Sequence, residues 1–219
     1  MTSTETRCRR PDEPQPDLTD YRVVHRAMTT DLDRLATAAA ELVERPDPRR
    51  LAALRSYLRN VSGEIESHHH VEDTDVWPVL EAVAGHRTAL VHLTEDHELL
   101  DPLLHRAGEL AARDRATPAL VEVLREITDL LMRHIADEER DVFPIIEDCL
   151  RVEDYVALQK RFRGNPKPSL LPFLAPWAVR HATPVERAAM IAEAGTLLRV
   201  LLRLFEPRFR AHERLVFGG

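Results

Sequence analysis

Two stretches of the chain pair a histidine with a glutamate four residues later, a pattern typical of metal binding on helices. They read HHHVEDTDVWP from His68 and HIADEERDVFP from His134, and they align without a gap at an offset of 66 residues. Residues four apart lie on one face of a helix. His68 with Glu72, and His134 with Glu138, can therefore each direct an imidazole and a carboxylate toward one ion. The repeat predicts two related halves of a metal site.

Of the three consecutive histidines, only His68 has a counterpart in the second stretch. Consecutive helical residues point about 100° apart, so the three cannot all serve one site. We therefore expect His69 and His70 at the surface. A residue beside a ligand can nevertheless support the site by contacting a ligand without contacting the metal. His69, Asp73 and Glu139 are accordingly candidates for an additional or outer role.

Apolar residues at spacings of three and four predict four amphipathic helices, each of about 25 residues, between residues 18 and 154. Short connections join them, which favours an all-α, antiparallel four-helix bundle. Val61 and Ile65 precede His68 on one helical face, so this histidine is expected in the core. Ionisable groups buried there need partners or a metal ion, because their desolvation is otherwise costly.

Each predicted helix supplies one inward histidine, and two of the helices also supply a glutamate. The candidate ligands are His25, His68, Glu72, His97, His134 and Glu138. Two histidines for each metal, with both glutamates able to bridge, give a mixed nitrogen and oxygen ligand set. Such a set with open positions suits iron in particular, with manganese or zinc as alternatives.

These residues, with the DVWP and DVFP sequences that follow the paired acids, resemble the hemerythrin-like family, also called the HHE cation-binding domain. The resemblance covers about residues 18–150. It implies a four-helix bundle around a non-haem centre of two iron ions, joined by oxide or hydroxide when oxidised, that meets O2, peroxide or nitric oxide. By position, Glu72 and Glu138 would be the bridging carboxylates, and the four histidines would be terminal ligands.

One departure from the family concerns a fifth histidine, which oxygen-carrying hemerythrins place on the third helix, four residues from the first. Here Leu93 and Asp101 occupy the two positions four away from His97. Asp101 is either an additional oxygen ligand or a helix-surface residue. Tyr21 lies one turn before His25. Its phenol either binds the metal or donates a hydrogen bond at the site; the alternative is a buried aromatic residue without such a role. With fewer histidines one metal is more open, which favours binding or turnover of a small oxidant over reversible O2 carriage.

The chain divides into three parts by composition. Residues 1–17 are polar and contain prolines, which predicts a disordered tail, and residues 18–154 form the bundle. Residues 155–219 form an extension with one predicted helix at about 184–206, begun by the capping box of Thr183 and Glu186 and ended by Pro207. The extension caps the bundle, shields the metals or binds a protein partner through its helix, and the sequence leaves these roles open.

Composition limits the possible function classes. The net charge of −7 and the pI near 5.9 argue against nucleic acid as a partner. The longest apolar run, AGTLLRVLLRLF, is too short and too charged to span a membrane. Two cysteines and no apolar leader fit a reducing cytoplasm.

We therefore hypothesise a cytoplasmic protein that binds, reduces or senses O2, peroxide or nitric oxide. Whether it consumes peroxide or nitric oxide catalytically stays open at this point. The alternative is an iron-responsive sensor or an iron store, whose fold or partner binding depends on metal occupancy.

Overall fold

The computed structural model describes residues 8–85, 90–163 and 170–218, and in these ranges its regular structure is entirely helical. Nine α-helices follow one another there: α1 Thr19–Glu44, α2 Pro48–Val71, α3 Trp77–Ala84, α4 Val91–Ala111, α5 Pro118–Asp141, α6 Phe143–Cys149, α7 Val152–Arg163, α8 Leu171–Ala178 and α9 Pro184–Phe217. None of the described helices is long and apolar enough to cross a membrane.

Helices α1, α2, α4 and α5 form an antiparallel four-helix bundle, which confirms the predicted fold class. Each packs against two others, in the order α1, α2, α4, α5 and back to α1. Asp47 begins α2 by accepting hydrogen bonds from the backbone N–H groups of Arg49 and Arg50, with Pro48 in the first turn. The apolar stripes of the four helices meet in one core, whose fully buried members include Leu32, Leu54, Ile65, Leu100, Leu124 and Leu131.

The chain changes its winding just after α2, at the first candidate motif. Residues Glu72–Val76 form a π-helical turn, in which the N–H of Trp77 donates to the carbonyl of Glu72. Such turns occur frequently at functional sites, because the extra residue re-aims the side chains around it. Asp73 within this turn reaches across to α4, where its carboxylate accepts a hydrogen bond from Thr94.

The extension contains three helices in its described part, whereas the sequence predicted one. Helix α7 precedes the proline-rich residues 164–177, and α8 lies in their second half. Both helices bury large aromatic side chains against the bundle, Tyr155 from α7 and Trp177 from α8. This burial stabilises two helices that the local sequence pattern alone does not predict.

The last helix begins where the sequence predicted and ends later. The capping box of Thr183 and Glu186 is present, but α9 continues through Pro207 to Phe217. Phe209 lies buried in the main core beyond the proline, so packing outweighs the local cost of a proline inside a helix. Within α9 the backbone leaves helical geometry at Gly195, whose φ of 68° is the left-handed conformation that glycine adopts readily.

Residues 8–17, part of the predicted disordered tail, lie against the end of the bundle. The N–H of Arg9 donates to the carbonyl of Cys149 at 2.8 Å, and its guanidinium donates to the carbonyl of Glu147 at 2.9 Å. Both acceptors belong to α6, where backbone carbonyls near a helix end need donors. The expectation of disorder for residues 1–7 lies outside the described residues.

A buried aspartate joins the extension to the bundle. Asp31 of α1 accepts hydrogen bonds from Tyr57 of α2, Trp177 of α8 and His181, which precedes α9. Arg34 also lies 2.7 Å from its carboxylate. Burial opposes ionisation of Asp31, but the hydrogen bonds and the neighbouring cations outweigh it and lower the pKa of this carboxyl. The network therefore ties three parts of the chain to one charged group.

Candidate metal centre

The six residues predicted as ligands are brought together inside the bundle, and all of them are buried. Glu72 and Glu138 are fully inaccessible to solvent. The four histidines are buried around them: His25, His68, His97 and His134. The cluster lies between the main apolar core and a second one formed around Trp77 and Phe143. Four helices thus each direct polar side chains into one dry region.

In one half of the cluster, the histidines of α1 and α2 face the two carboxylates. The Nε2 atom of His68 lies 2.7 Å from Oε1 of Glu72. The Nε2 atom of His25 lies 3.3 Å from Oε2 of Glu138. His25, His68 and Glu72 are close enough together to hold one cation.

In the other half, the histidines of α4 and α5 face the same two carboxylates from the opposite side. Nε2 of His97 lies 3.5 Å from Oε2 of Glu72, and Nε2 of His134 lies 3.9 Å from Oε2 of Glu138. The two Nε2 atoms are 3.2 Å apart. Each glutamate therefore stands between a histidine of one half and a histidine of the other.

His69 belongs to this second half, and the prediction that it lies at the surface is wrong. It is 3% exposed, and its ring stacks on that of His97 with centroids 4.0 Å apart. Ligand atoms of His69, Glu72, His97 and His134 all lie within 4.8 Å of one another. The sequence did contain a signal, since Ile65 precedes His69 by four residues as well as His68 by three. Both histidines thus follow the buried stripe of α2.

Acidic residues outside the cluster orient two of the histidines. Nδ1 of His25 lies 3.0 Å from Glu139, and Nδ1 of His97 lies 3.0 Å from Asp73. The second acid of each motif therefore contacts a histidine on a neighbouring helix. Asp96, which no sequence motif indicated, lies 3.5 Å from Nδ1 of His134 but makes no hydrogen bond with it. A carboxylate that accepts from Nδ1 leaves the Nε2 lone pair available for a metal.

The phenol of Tyr21 lies between the two buried glutamates. Its hydroxyl oxygen is 2.5 Å from Oε1 of Glu72 and 2.8 Å from Oε1 of Glu138. Burial, reinforced by both carboxylates, raises the pKa of Tyr21 well above its usual value, so the phenol keeps its proton. The hydroxyl has one proton and donates to one carboxylate at a time. Tyr21 is therefore placed as a hydrogen-bond donor to the candidate bridging groups.

Burial also shifts the acid–base properties of the ligand groups themselves. It raises the pKa of Glu72 to about 7, and burial together with the adjacent Glu72 raises that of Glu138 further above its usual range. Burial lowers the pKa of His68 to about 3 and that of His134 to about 2. His68 and His134 are consequently neutral, with lone pairs available for a metal. The two buried glutamates have too little positive charge around them for both to ionise without a cation.

The chemistry of this donor set fits metal ions. Among the described residues, six buried atoms of the cluster have no hydrogen-bond partner: Nδ1 of His69 and of His134, and the four Nε2 and Oε2 atoms of His25, His68, Glu72 and Glu138. Their short contacts lack hydrogen-bond angles, and buried polar atoms of this kind are costly unless they are satisfied. Cations between the rings and the carboxylates would satisfy the four Nε2 and Oε2 atoms and supply the missing positive charge.

Asp101 is the one candidate that the structure does not bring to the cluster. It is exposed on α4, one turn beyond His97. The helix-surface interpretation of this residue therefore holds, and the additional candidate ligand in this half is His69 instead.

Comparisons with known proteins agree with this geometry. The family model described as the hemerythrin HHE cation binding domain matches residues 18–146. Two zinc finger proteins from Arabidopsis thaliana, both named BRUTUS-like, are 23% identical over 184 residues and 24% identical over 192 residues. Each match covers 77% of this chain but only 14% and 15% of the relatives, so the chain spans a small part of their length. No solved structure matches the chain significantly.

Proposed function

Because this chain belongs to the hemerythrin HHE cation-binding domain family, we propose that it holds two iron ions and binds, reduces or senses a small oxidant such as O2, peroxide or nitric oxide. The observation that carries the proposal is the position of the two glutamates. Glu72 lies between His68 and His97, and Glu138 lies between His25 and His134. This is the arrangement that two bridged ions require.

The proposed ligand sets are unequal. One ion would be held by His25 and His68, and the other by His69, His97 and His134, with both glutamates shared. The first ion has fewer protein ligands and is therefore the one with positions open to a small molecule. Manganese or zinc would fit the same atoms, but a mixed histidine and carboxylate set with open positions suits iron best.

Bound iron would supply electrons to the oxidant, and the surrounding side chains would control geometry, protons and water. Glu139 and Asp73 hold the imidazole rings of His25 and His97 in orientation through Nδ1. Tyr21 keeps a proton at its hydroxyl oxygen, between the two glutamates. Phe162 of α7 lies over His68 with ring centroids 4.9 Å apart, which limits the entry of water from that side.

The proposal is tested by metal analysis of protein purified without oxygen, with optical spectra before and after exposure to air. We expect about two irons per chain and new near-ultraviolet absorption on oxidation. His134→Ala removes a ligand of one proposed ion, so it should lower the iron content and abolish the near-ultraviolet absorption. His105→Ala, at an exposed position of the adjacent helix α4, should leave both unchanged. A metal-free protein, or a single zinc retained by His134→Ala, would overturn the proposal.

A second candidate function is metal-dependent sensing or storage, and the contact between extension and site favours it. Phe162 contacts both His68 and Tyr21, so a change at the metals is transmitted directly to α7. Rapid consumption of peroxide or nitric oxide would favour an enzyme. Iron-dependent folding or protein partner binding through α9, without turnover, would favour a sensor or store.

We further propose a cytoplasmic location and no nucleic-acid partner. The acidic net charge of −7 and the small number of cysteines support this placement. Cell fractionation tests the location.

A further inference from the structure

The extension encloses a cavity of about 720 Å³ against the α1–α2 face of the bundle. Its wall on the bundle side follows α2 from Arg59 to His68, ten residues that span about 14 Å along the helix. Its opposite wall is apolar and comes mainly from α8 and α9, including Leu174, Met190 and Leu198. The volume lies in the range of small-molecule sites. The cavity ends at the half of the metal centre that has fewer ligands.

Two acids interrupt the apolar lining, Asp20 of α1 and Glu64 of α2. Glu64 of α2 lines the middle of the cavity, and no hydrogen bond or ion pair reaches it from the described residues. Burial alone raises the pKa of its carboxyl to about 6, because no neighbouring cation compensates the charge. Arg59, by contrast, is exposed at the rim, where water already solvates its charge. The binding free energy that a cation gains beside Glu64 is therefore larger than the binding free energy that an anion gains beside Arg59.

We propose that this cavity is a binding site for a small organic amine with an apolar body, an alkylamine or arylalkylamine, whose ammonium group pairs with Glu64. The apolar body lies between α2 and the apolar wall of α8 and α9. Glu64 precedes His68 by four residues, so the two side chains lie on one face of α2. The bound molecule is thereby held beside His68 and Tyr21, which also line the cavity.

This binding site does not depend on the proposed metal chemistry, since Glu64 and the apolar wall contribute nothing to the ligand cluster. The probe is n-octylamine, titrated by calorimetry at neutral pH into the metal-loaded protein and into the metal-free protein. We expect saturable binding of one molecule per chain in both forms. Absence of saturable binding would overturn the assignment, while the iron content would be unaffected by that result.

Gly63 provides a variant that fills the cavity without disturbing the fold. Gly63 lines the cavity within α2, and a Cβ added there meets no atom within 4 Å. Gly63→Leu should stabilise α2 slightly, since glycine is unfavourable in a helix, and should weaken octylamine binding about tenfold or more. Gly108→Leu is the matched control, because Gly108 is also helical with an open Cβ position but lies on α4, outside the cavity. Equal binding to both variants would refute the location.

The chemical class is tested by Glu64→Gln and by two comparison molecules, octanoate and 1-octanol. A lost charge-assisted hydrogen bond should weaken octylamine binding about tenfold to a hundredfold. Binding of 1-octanol should change little in the same variant. The wild-type protein should prefer octylamine to octanoate. A preference for octanoate, or unchanged octylamine binding in Glu64→Gln, would overturn the assignment of an amine.

Discussion

Replacing His69 by leucine should affect the metal-free and metal-loaded proteins in opposite directions. The imidazole is 3% exposed and its Nδ1 atom has no hydrogen-bond partner among the described residues. Burial, with a contribution from neighbouring histidines, lowers the pKa of His69 well below its usual value. A buried polar group without a partner costs about 1–3 kcal/mol. Because leucine has a similar size and no polar atom, His69→Leu should raise the unfolding free energy of the metal-free protein by about that amount.

In the metal-loaded protein the same change removes one of three proposed histidine ligands. Loss of an outer-sphere partner alone lowers metal affinity by about 10–100-fold. Loss of a direct ligand should therefore lower the affinity of one of the two metals by about 100-fold or more, which corresponds to about 2.7 kcal/mol. The other ion retains His25 and His68, so the two bound metals should become distinguishable in a chelator titration.

The assay combines urea unfolding of metal-free protein with chelator competition for the metal-loaded protein. His70→Leu is the control, since His70 is adjacent in sequence but exposed. His70→Leu should change the unfolding free energy and the metal-binding free energy each by less than about 0.5 kcal/mol. The reasoning is refuted if His69→Leu retains two metals of wild-type affinity, or if it destabilises the metal-free protein while His70→Leu does not.

Three further predictions follow from the contacts around the cluster and at the extension. Asp73→Asn removes the carboxylate that orients His97 and should weaken one metal about 10–100-fold in the same chelator competition. Tyr21→Phe removes the donor shared by the two glutamates and should destabilise the metal-free protein by about 1–3 kcal/mol in urea, while two metals still bind. The pKa of Asp31 is lower in the folded protein than in the unfolded chain, so its stabilisation is complete above about pH 4 and is lost as pH falls through the folded value. Urea unfolding at pH 5 and pH 3 should therefore show less acid destabilisation in Asp31→Asn than in the wild-type protein or in Asp33→Asn, which alters an exposed neighbour.

The sequence predicted the bundle and the cluster because both depend on helical spacing. A histidine and a glutamate four residues apart occupy one face, and the apolar residues before them show that this face is buried. The prediction failed at His69 because a histidine was expected in the core only where the repeat supplied a counterpart. The second motif has isoleucine, Ile135, at the position that corresponds to His69. The two halves of the site are therefore not copies of each other, and a residue without a counterpart can still be buried.

The extension was predicted less well, for a different physical reason. Capping signals are local, so the start of α9 at Pro184 followed directly from the sequence. The end did not, because Pro207 is a local signal against helix that the burial of Phe209 overrides. Asp31 shows the same limit, since its partners Trp177 and His181 are about 150 residues away in the chain.

The unequal halves of the cluster and the position of the extension are connected. With His69 of α2 as the fifth candidate ligand, the half that faces α4 and α5 contains three histidines and the half of His25 and His68 contains two. That half is also the one covered by Phe162 and bordered by the cavity of the extension. The apolar wall of α8 and α9 leaves a cavity of about 720 Å³ beside His68. We therefore propose that the extension controls which molecules reach this half of the cluster, and the octylamine titration tests the cavity separately from the metals.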